Sequence, residues 1–391
     1  MADERAADAA DDRWRRSWRA VRRLGPALER ARALLLIPLL AVFLLAIDLL
    51  GSGLGLLGED QVDALFRGLD NPLVGLLVGV LATVLAQSSS VTTATVVGLV
   101  GSGALDLTLA VPVIMGANIG TTVTSTLASV GSIRRSEEFR RAFAGATVHD
   151  AFNICAAAVL LPVELLTGAL SRAAVALSVP LADAAGEFRS PARGPLELVS
   201  GPITGAVEAW LGDGLAAALV LILAGLGGIF ATLFALTRNM RAVMAGPAER
   251  GLNTVLARAG VVGMLVGAVL TLAVQSSSIT TSLLVPMIAA GVLSLPAAYP
   301  VTLGANLGTT VTALLAALAV PAIAGLQIAL LHLVFNTLGI ALFYGVRPLR
   351  QVPLRTATAL GTYAASHRPH VVAGMVIVFY LVPLAGILLL R

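Results

Sequence analysis

The sequence predicts an all-α polytopic membrane protein made of two inverted repeats. Each repeat carries a re-entrant helical hairpin with a Gln-Ser-Ser-Ser tract, and a C-terminal span closes the chain. Three observations predict this. The chain is too apolar for a water-soluble body: of 391 residues 57% are hydrophobic and 12% charged, and mean hydropathy is +0.91. Several apolar runs exceed the roughly 17 residues that a helix needs to cross a bilayer. Residues 75–128 recur as 263–316 without a gap, with about half the positions identical.

Residues 1–32 form a cytoplasmic, interfacial segment. Within it Trp14, Trp18, Val21 and Leu28 recur at helical spacing among Arg13, Arg15, Arg16, Arg19, Arg22 and Arg23, as in a helix lying among lipid headgroups. Residues 33–163 make the first membrane repeat, with apolar segments at 33–50, 72–104, 108–130 and 141–162. No Ala-x-Ala cleavage pattern follows 33–50, so it reads as a retained span. Residues 164–213 carry more acids than arginines and read as an extracytoplasmic linker. The second repeat, 214–345, has segments at 215–237, 259–292, 298–319 and 323–345. A cytoplasmic linker and a last span at 371–390 occupy 346–391.

The segments 72–104 and 259–292 are too long for one crossing and short for two, and each is broken mid-way by Gln-Ser-Ser-Ser. A hairpin that enters the membrane and returns to the same side fits that length. Loop charges fit the same path. Arg134, Arg135, Arg140 and Arg141 suit the cytoplasm, as do Arg238, Arg241, Arg250 and Arg258, and then Arg347, Arg350 and Arg355. Glu59, Asp60, Asp63 and Asp70 against Arg67 suit the outside. Three crossings then separate the two Asn-x-Gly-Thr-Thr helices, so the repeats are inverted. The net charge of +4 is carried by arginine without lysine, mostly at the ends of apolar runs, which points to orientation in a membrane and not to nucleic acid. The single cysteine, Cys155, lies in an apolar run and cannot form an internal disulfide.

Gln87-Ser88-Ser89-Ser90 matches Gln275-Ser276-Ser277-Ser278, and Gly116-Ala117-Asn118-Ile119-Gly120-Thr121-Thr122 matches Gly304-Ala305-Asn306-Leu307-Gly308-Thr309-Thr310. An unpaired polar group in hydrocarbon costs several kcal/mol. Two polar tracts at membrane depth must therefore meet protein, water or ligand. At a hairpin tip the N–H groups that open the second half-helix are free and carry the positive end of its dipole. Ser88, Ser89, Ser90, Ser276, Ser277 and Ser278 add hydroxyls, and Gln87, Gln275, Asn118 and Asn306 add amides, so the two tips make a cradle for a small oxyanion. The carbonyl ends of the first half-helices, with Gln, Thr and Asn oxygens such as those of Thr121 and Asn306, suit a sodium ion. From Ala259 to Val346 no Asp, Glu, Arg or Lys occurs, so a co-bound cation must help neutralise the anion. Inverted repeats that meet at such a site are a recurrent plan of solute carriers.

Other features have structural readings. Gly75-x-x-x-Gly79, Gly116-x-x-x-Gly120 and their copies read as close helix packing. His149-x-x-Phe152-Asn153 and His332-x-x-Phe335-Asn336 read as interhelical bonding, and Asp150 and Glu164, near predicted span ends, as interfacial.

These tracts, with the run Glu138-Phe139-Arg140-Arg141-Ala142-Phe143-Ala144-Gly145-Ala146-Thr147-Val148-His149-Asp150, resemble the type II sodium–phosphate cotransporter family over roughly residues 70–165 and 255–345. The resemblance implies sodium-driven import of inorganic phosphate by alternating access, across a bacterial plasma membrane. It implies no catalysis and no cofactor beyond sodium as coupling ion; the partners are phosphate, sodium and the lipid bilayer. It places both Gln-Ser-Ser-Ser tracts at the substrate, and Thr309 and Thr312, with Gln275 and Ser276, at a sodium. Two departures stand out. Ala305 replaces a serine found in some members, and Arg135 falls about where members that bind an additional sodium carry an Asp. A sodium-coupled carrier of another oxyanion such as sulfate, or an anion channel, shares the same residue chemistry. A serine hydrolase does not, since no Gly-x-Ser-x-Gly is present.

Overall fold

The computed structural model describes residues 35–57, 61, 67–121, 123–185, 197–212, 214–232, 234–235, 260–319 and 323–390. The headgroup helix expected at 13–30, the arginines of 238–258 and Arg391 lie outside them. Among the described residues every regular element is a helix.

Helix α1 spans Leu36–Leu57. Helix α2, Pro72–Ala86, starts at Asn71, whose side chain accepts the Leu73 N–H, with Pro72 at its first position. Helix α3, Ser89–Gly101, follows after two residues. Next come α4, Leu107–Gly120, and α5, Val123–Val130. Helix α6, Ser136–Thr167, begins before the apolar run at 141 because its first turn is acidic, which suits the positive end of a helix. Glu137 pairs with Arg140 at 2.6 Å and Glu138 with Arg135 at 2.8 Å. Gly168, at φ 59°, ends it in the left-handed region.

Two helices occupy the stretch 164–213: α7, Ala169–Ala185, and α8, Glu197–Leu211. Glu164, expected at the membrane interface, is instead buried. Its carboxylate accepts the Leu170 N–H at 2.7 Å, the Ser171 N–H at 3.3 Å and the Ser171 hydroxyl, and so caps α7. Helix α9 is Leu215–Thr232.

The second repeat holds α10, Val261–Val274; α11, Ser277–Ala289; α12, Leu295–Ala319; and α13, Ile323–Ile340, which runs into a π-helical turn at Ala341–Gly345. Helix α14, Arg347–Ser366, occupies most of the linker and packs along α6. The last apolar helix, α15, spans Arg368–Leu390 and is the least buried of those that could cross a membrane. Among the described residues six helices are long and apolar enough to do so: Leu107–Val130, Ser136–Thr167, Leu215–Thr232, Leu295–Ala317, Ile323–Gly345 and Arg368–Leu390.

The repeat is visible in the packing. Helix α2 lies against α4 and α10 against α12, backbone to backbone. A Cβ built on Gly120 would sit 2.6 Å from the Val80 carbonyl oxygen, and one on Gly308 2.7 Å from that of Ala268. At Gly79, Gly116, Gly267 and Gly304 the facing carbonyl is nearer still. The Gly-x-x-x-Gly stretches are thus contact seams, as expected. The main core centres on Phe152, whose ring meets those of Tyr299 and Phe343 edge-on with centroids 6.4 Å away. The Tyr299 hydroxyl, deep in this apolar layer, donates to the Phe343 carbonyl at 3.2 Å.

Candidate functional site

Both Gln-Ser-Ser-Ser tracts break a helix in the same way. Gln87 (φ 52°, ψ 25°) ends α2 and Gln275 (φ 56°, ψ 28°) ends α10, both in the left-handed region. They are the only non-glycine residues with positive φ among the described residues. Such a conformation costs a non-glycine residue roughly 1–2 kcal/mol, so both repeats hold strain at the same point. Ser88 and Ser276 are then extended, and their hydroxyls accept the Val91 and Ile279 N–H groups at 3.4 Å as N-caps of α3 and α11.

The chain bends sharply at each break. Thr83 donates to Thr92 at 2.9 Å, and Thr271 to Thr280 at 2.8 Å. Nine residues apart in one straight helix, each pair would be separated by roughly 13 Å. The first backbone bonds of α3 and α11 run from the Thr92 N–H to Ser88 O and from the Thr280 N–H to Ser276 O. The N–H groups of Ser89, Ser90, Ser277 and Ser278 precede them, at the positive ends of two helices. All four serines are buried.

The glutamines fasten each tip to a threonine just after the Asn-x-Gly-Thr-Thr stretch of its own repeat. Gln275 donates from Nε2 to Leu272 O at 2.8 Å and accepts the Thr312 hydroxyl at 2.8 Å on Oε1. Gln87 donates to Val84 O at 2.6 Å and accepts the Thr124 hydroxyl at 3.1 Å. The structure therefore brings Gln275 and Thr312 together beside Ser276, three of the residues expected at a sodium. Thr309 lies one turn before Thr312, its hydroxyl donating to Asn306 O at 2.6 Å. Sequence reasoning misses Thr124. Its place as the repeat equivalent of Thr312 is the signal that could have found it.

Asn118 and Asn306 do not sit at the tips as free ligands. They form a buried network across the repeats. His149 bonds through Nε2 to Asn306 Oδ1, and His332 Nε2 lies 3.1 Å from Asn118 Oδ1. Asn306 donates to Asn153 Oδ1 at 2.7 Å, and Asn153 to Asn118 O at 3.0 Å. Both histidines are thus interhelical anchors. Two further contacts join repeat 2 to repeat 1. The Ser278 hydroxyl donates to Thr121 O at 3.1 Å, and Ser125 shares a bond with Thr281 at 2.7 Å. So Thr121 meets the second tip through its carbonyl, while its hydroxyl donates back to Ala117 O at 3.0 Å. Thr93, the equivalent of Thr281, is buried without a partner, because Ala313 stands where Ser125 stands in the first repeat.

Asp150 departs from the expectation of an interfacial acid. It lies midway along α6, 5% exposed, with Oδ1 lacking any hydrogen-bond partner. The apolar segment begins at 141, but the helix extends further outward, which carries Asp150 inward of the span end. A carboxylate in such a place needs a cation or a proton.

The chain matches the Na+/Pi-cotransporter family over residues 42–174 and 229–357. It is 35% identical to the sheep (Ovis aries) sodium-dependent phosphate transport protein 2A, over 93% of this chain and 68% of the relative. It is 34% identical to the rat (Rattus norvegicus) protein 2A, over 89% and 66%, and 33% identical to the human (Homo sapiens) protein 2B, over 90% and 64%. The chain spans about two thirds of the length of these relatives, from 64 to 68%. No solved structure matches it.

Proposed function

Because this chain belongs to the Na+/Pi-cotransporter family, we propose that it is a sodium-coupled symporter that carries inorganic phosphate across a plasma membrane by alternating access. The observation that carries this reading is the paired tip: two helix N-termini whose serine N–H groups precede the first intrahelical bond, each stapled by a glutamine to a threonine. Phosphate would accept from the N–H groups and hydroxyls of Ser89, Ser90, Ser277 and Ser278. Sodium would take oxygens from Gln275, Ser276, Thr309 and Thr312. No arginine or lysine occurs between Ala259 and Val346, so the cation supplies the charge that the second tip lacks. That dependence makes sodium a part of the anion site and so couples the two fluxes.

The broken segments serve as re-entrant hairpins in this reading, and the two repeats as inverted halves facing each other at mid-membrane. Irregular backbone at that depth is tolerated where it lines a solute path. The same residues do no covalent chemistry in transport. A carrier of another tetrahedral oxyanion would use the same donors, and competition by unlabelled anions separates the two.

The test is uptake of radiolabelled phosphate into proteoliposomes under an inward sodium gradient against an equal potassium gradient. Sodium-dependent, saturable uptake, lost in Ser277→Ala protein that still inserts, supports the proposal. Equal uptake in potassium overturns sodium coupling, and unlabelled sulfate displacing the label better than phosphate overturns the substrate.

A further inference from the structure

The two repeats have the same polar residues at equivalent places but do not use them alike. His149 and His332 are symmetric: each reaches the Asn-x-Gly-Thr-Thr asparagine of the other repeat. The asparagines that follow them are not. Asn153 is fully engaged, accepting from Asn306 Nδ2 at 2.7 Å and donating to Asn118 O at 3.0 Å. Asn336, its equivalent on α13, is 0% exposed and has neither a donor for Oδ1 nor an acceptor for Nδ2. The amide that would reach it by symmetry, Asn118 Nδ2, instead turns back to Ile114 O of its own helix at 3.4 Å. The tips show the same difference. Ser278 donates across to Thr121 O, whereas no equivalent bond joins Ser90 to Thr309 among the described residues.

The same residues thus have different partners in the two repeats. Thr121 follows the last residue of α4 with αR dihedrals, while α12 runs unbroken through the equivalent Thr309. In a molecule built of two inverted halves, exchanging the conformations of the halves turns the whole around in the membrane. The state open to one side becomes the state open to the other. The unused half of the network is then the half that closes in the opposite state.

We propose that Asn336 is a positioning residue of the opposite-facing state. There its Oδ1 accepts Asn118 Nδ2 and its Nδ2 donates to Asn306 O, while Asn153 is released. Asn153 and Asn336 thus act as alternating clamps on the two helices that carry Asn118 and Asn306. The bare amide of Asn336 keeps the present state from being too deep a minimum, since a buried amide left unpaired is costly. This inference rests on the reading of the chain as an inverted-repeat carrier.

The test uses the full chain in a Cys155→Ala background, since Cys155 is the sole native cysteine. One protein carries Asn153→Cys with Asn306→Cys, and another Asn118→Cys with Asn336→Cys. Bridging by a short thiol-reactive linker is measured without sodium, with sodium, and with sodium and phosphate. The expected result is reciprocal: a condition that raises one pair lowers the other, the ratio moving about tenfold, as befits a shift of one or two buried hydrogen bonds. Yields that rise and fall together, or an Asn118/Asn336 pair that bridges under none of these conditions, overturn the proposal.

Single Asn336→Ala and Asn153→Ala proteins give a second measurement that needs no cysteines. They should move the influx KM for phosphate in opposite directions while both lower kcat. A shift in the same direction refutes alternation. Failure of sodium-dependent uptake by the unmodified chain would sink the transport reading itself, whichever way the cross-links fall.

Discussion

Replacing Gln275 by glycine and, separately, by alanine separates the two things that this residue does. Both substitutions remove the carboxamide, which frees the Thr312 hydroxyl and Leu272 O from bonds of 2.8 Å each. That loss costs about 1 kcal/mol per bond. Only glycine also relieves the left-handed backbone at φ 56°, worth roughly 1 kcal/mol of the αL penalty. Alanine keeps the strain. The glycine protein should therefore be more stable than the alanine protein by about 1 kcal/mol, which corresponds to an apparent melting temperature roughly 1–3 °C higher for a chain of this size. Both should lose most sodium-dependent phosphate uptake, because the carbonyl oxygen proposed for sodium is gone. The assays are thermal unfolding in detergent, followed through tryptophan fluorescence, and proteoliposome uptake. If the alanine protein melts at or above the glycine protein, the backbone there is not strained. If the glycine protein transports as well as the parent, the Gln275 side chain is not part of the sodium site.

Three further substitutions test the surrounding structure. Gly116→Ala places a Cβ on the Leu76 carbonyl, a backbone atom that cannot move aside, so properly inserted, monodisperse protein should fall sharply on size-exclusion chromatography. Asp150→Asn replaces a buried acid whose Oδ1 has no hydrogen-bond partner. It should raise the melting temperature, because a neutral amide of the same shape is easier to bury than an acid whose Oδ1 has no partner. Glu164→Ala uncaps α7 and should cost about 1–2 kcal/mol in unfolding experiments while leaving the KM for phosphate and the sodium dependence unchanged.

Much of this is legible in the sequence. The repeated Gln-Ser-Ser-Ser marks both helix breaks, because an apolar run too long for one crossing has to turn where its polar residues cluster. The glycine seams follow from spacing alone. What escapes is of three kinds. Helices Ala169–Ala185 and Arg347–Ser366 lie in stretches of mixed polarity interrupted by Pro180 and Pro353, where apolar periodicity says little. The burial of Asp150 and Glu164 escapes because their distance from a span end is counted on the apolar run, and the helix is longer than that run. The unequal use of Asn153 and Asn336 cannot be read at all. The two residues share His four positions before and Phe directly before, while Asp150 and Leu333 differ between them, and nothing in that spacing says which partners each amide meets.

The glycine seams have a mechanical consequence. Where a carbonyl touches a glycine Cα there is no layer of side chains to compress, slide or change rotamer. Helices α2 and α4 at Gly79, Gly116 and Gly120, and α10 and α12 at Gly267, Gly304 and Gly308, are each welded into one stiff beam. A beam of this kind transmits displacement without absorbing it. Any rearrangement must bend at its unwelded joints, the left-handed glutamines, so a small shift at a tip reappears at full amplitude at the far end of the paired helix.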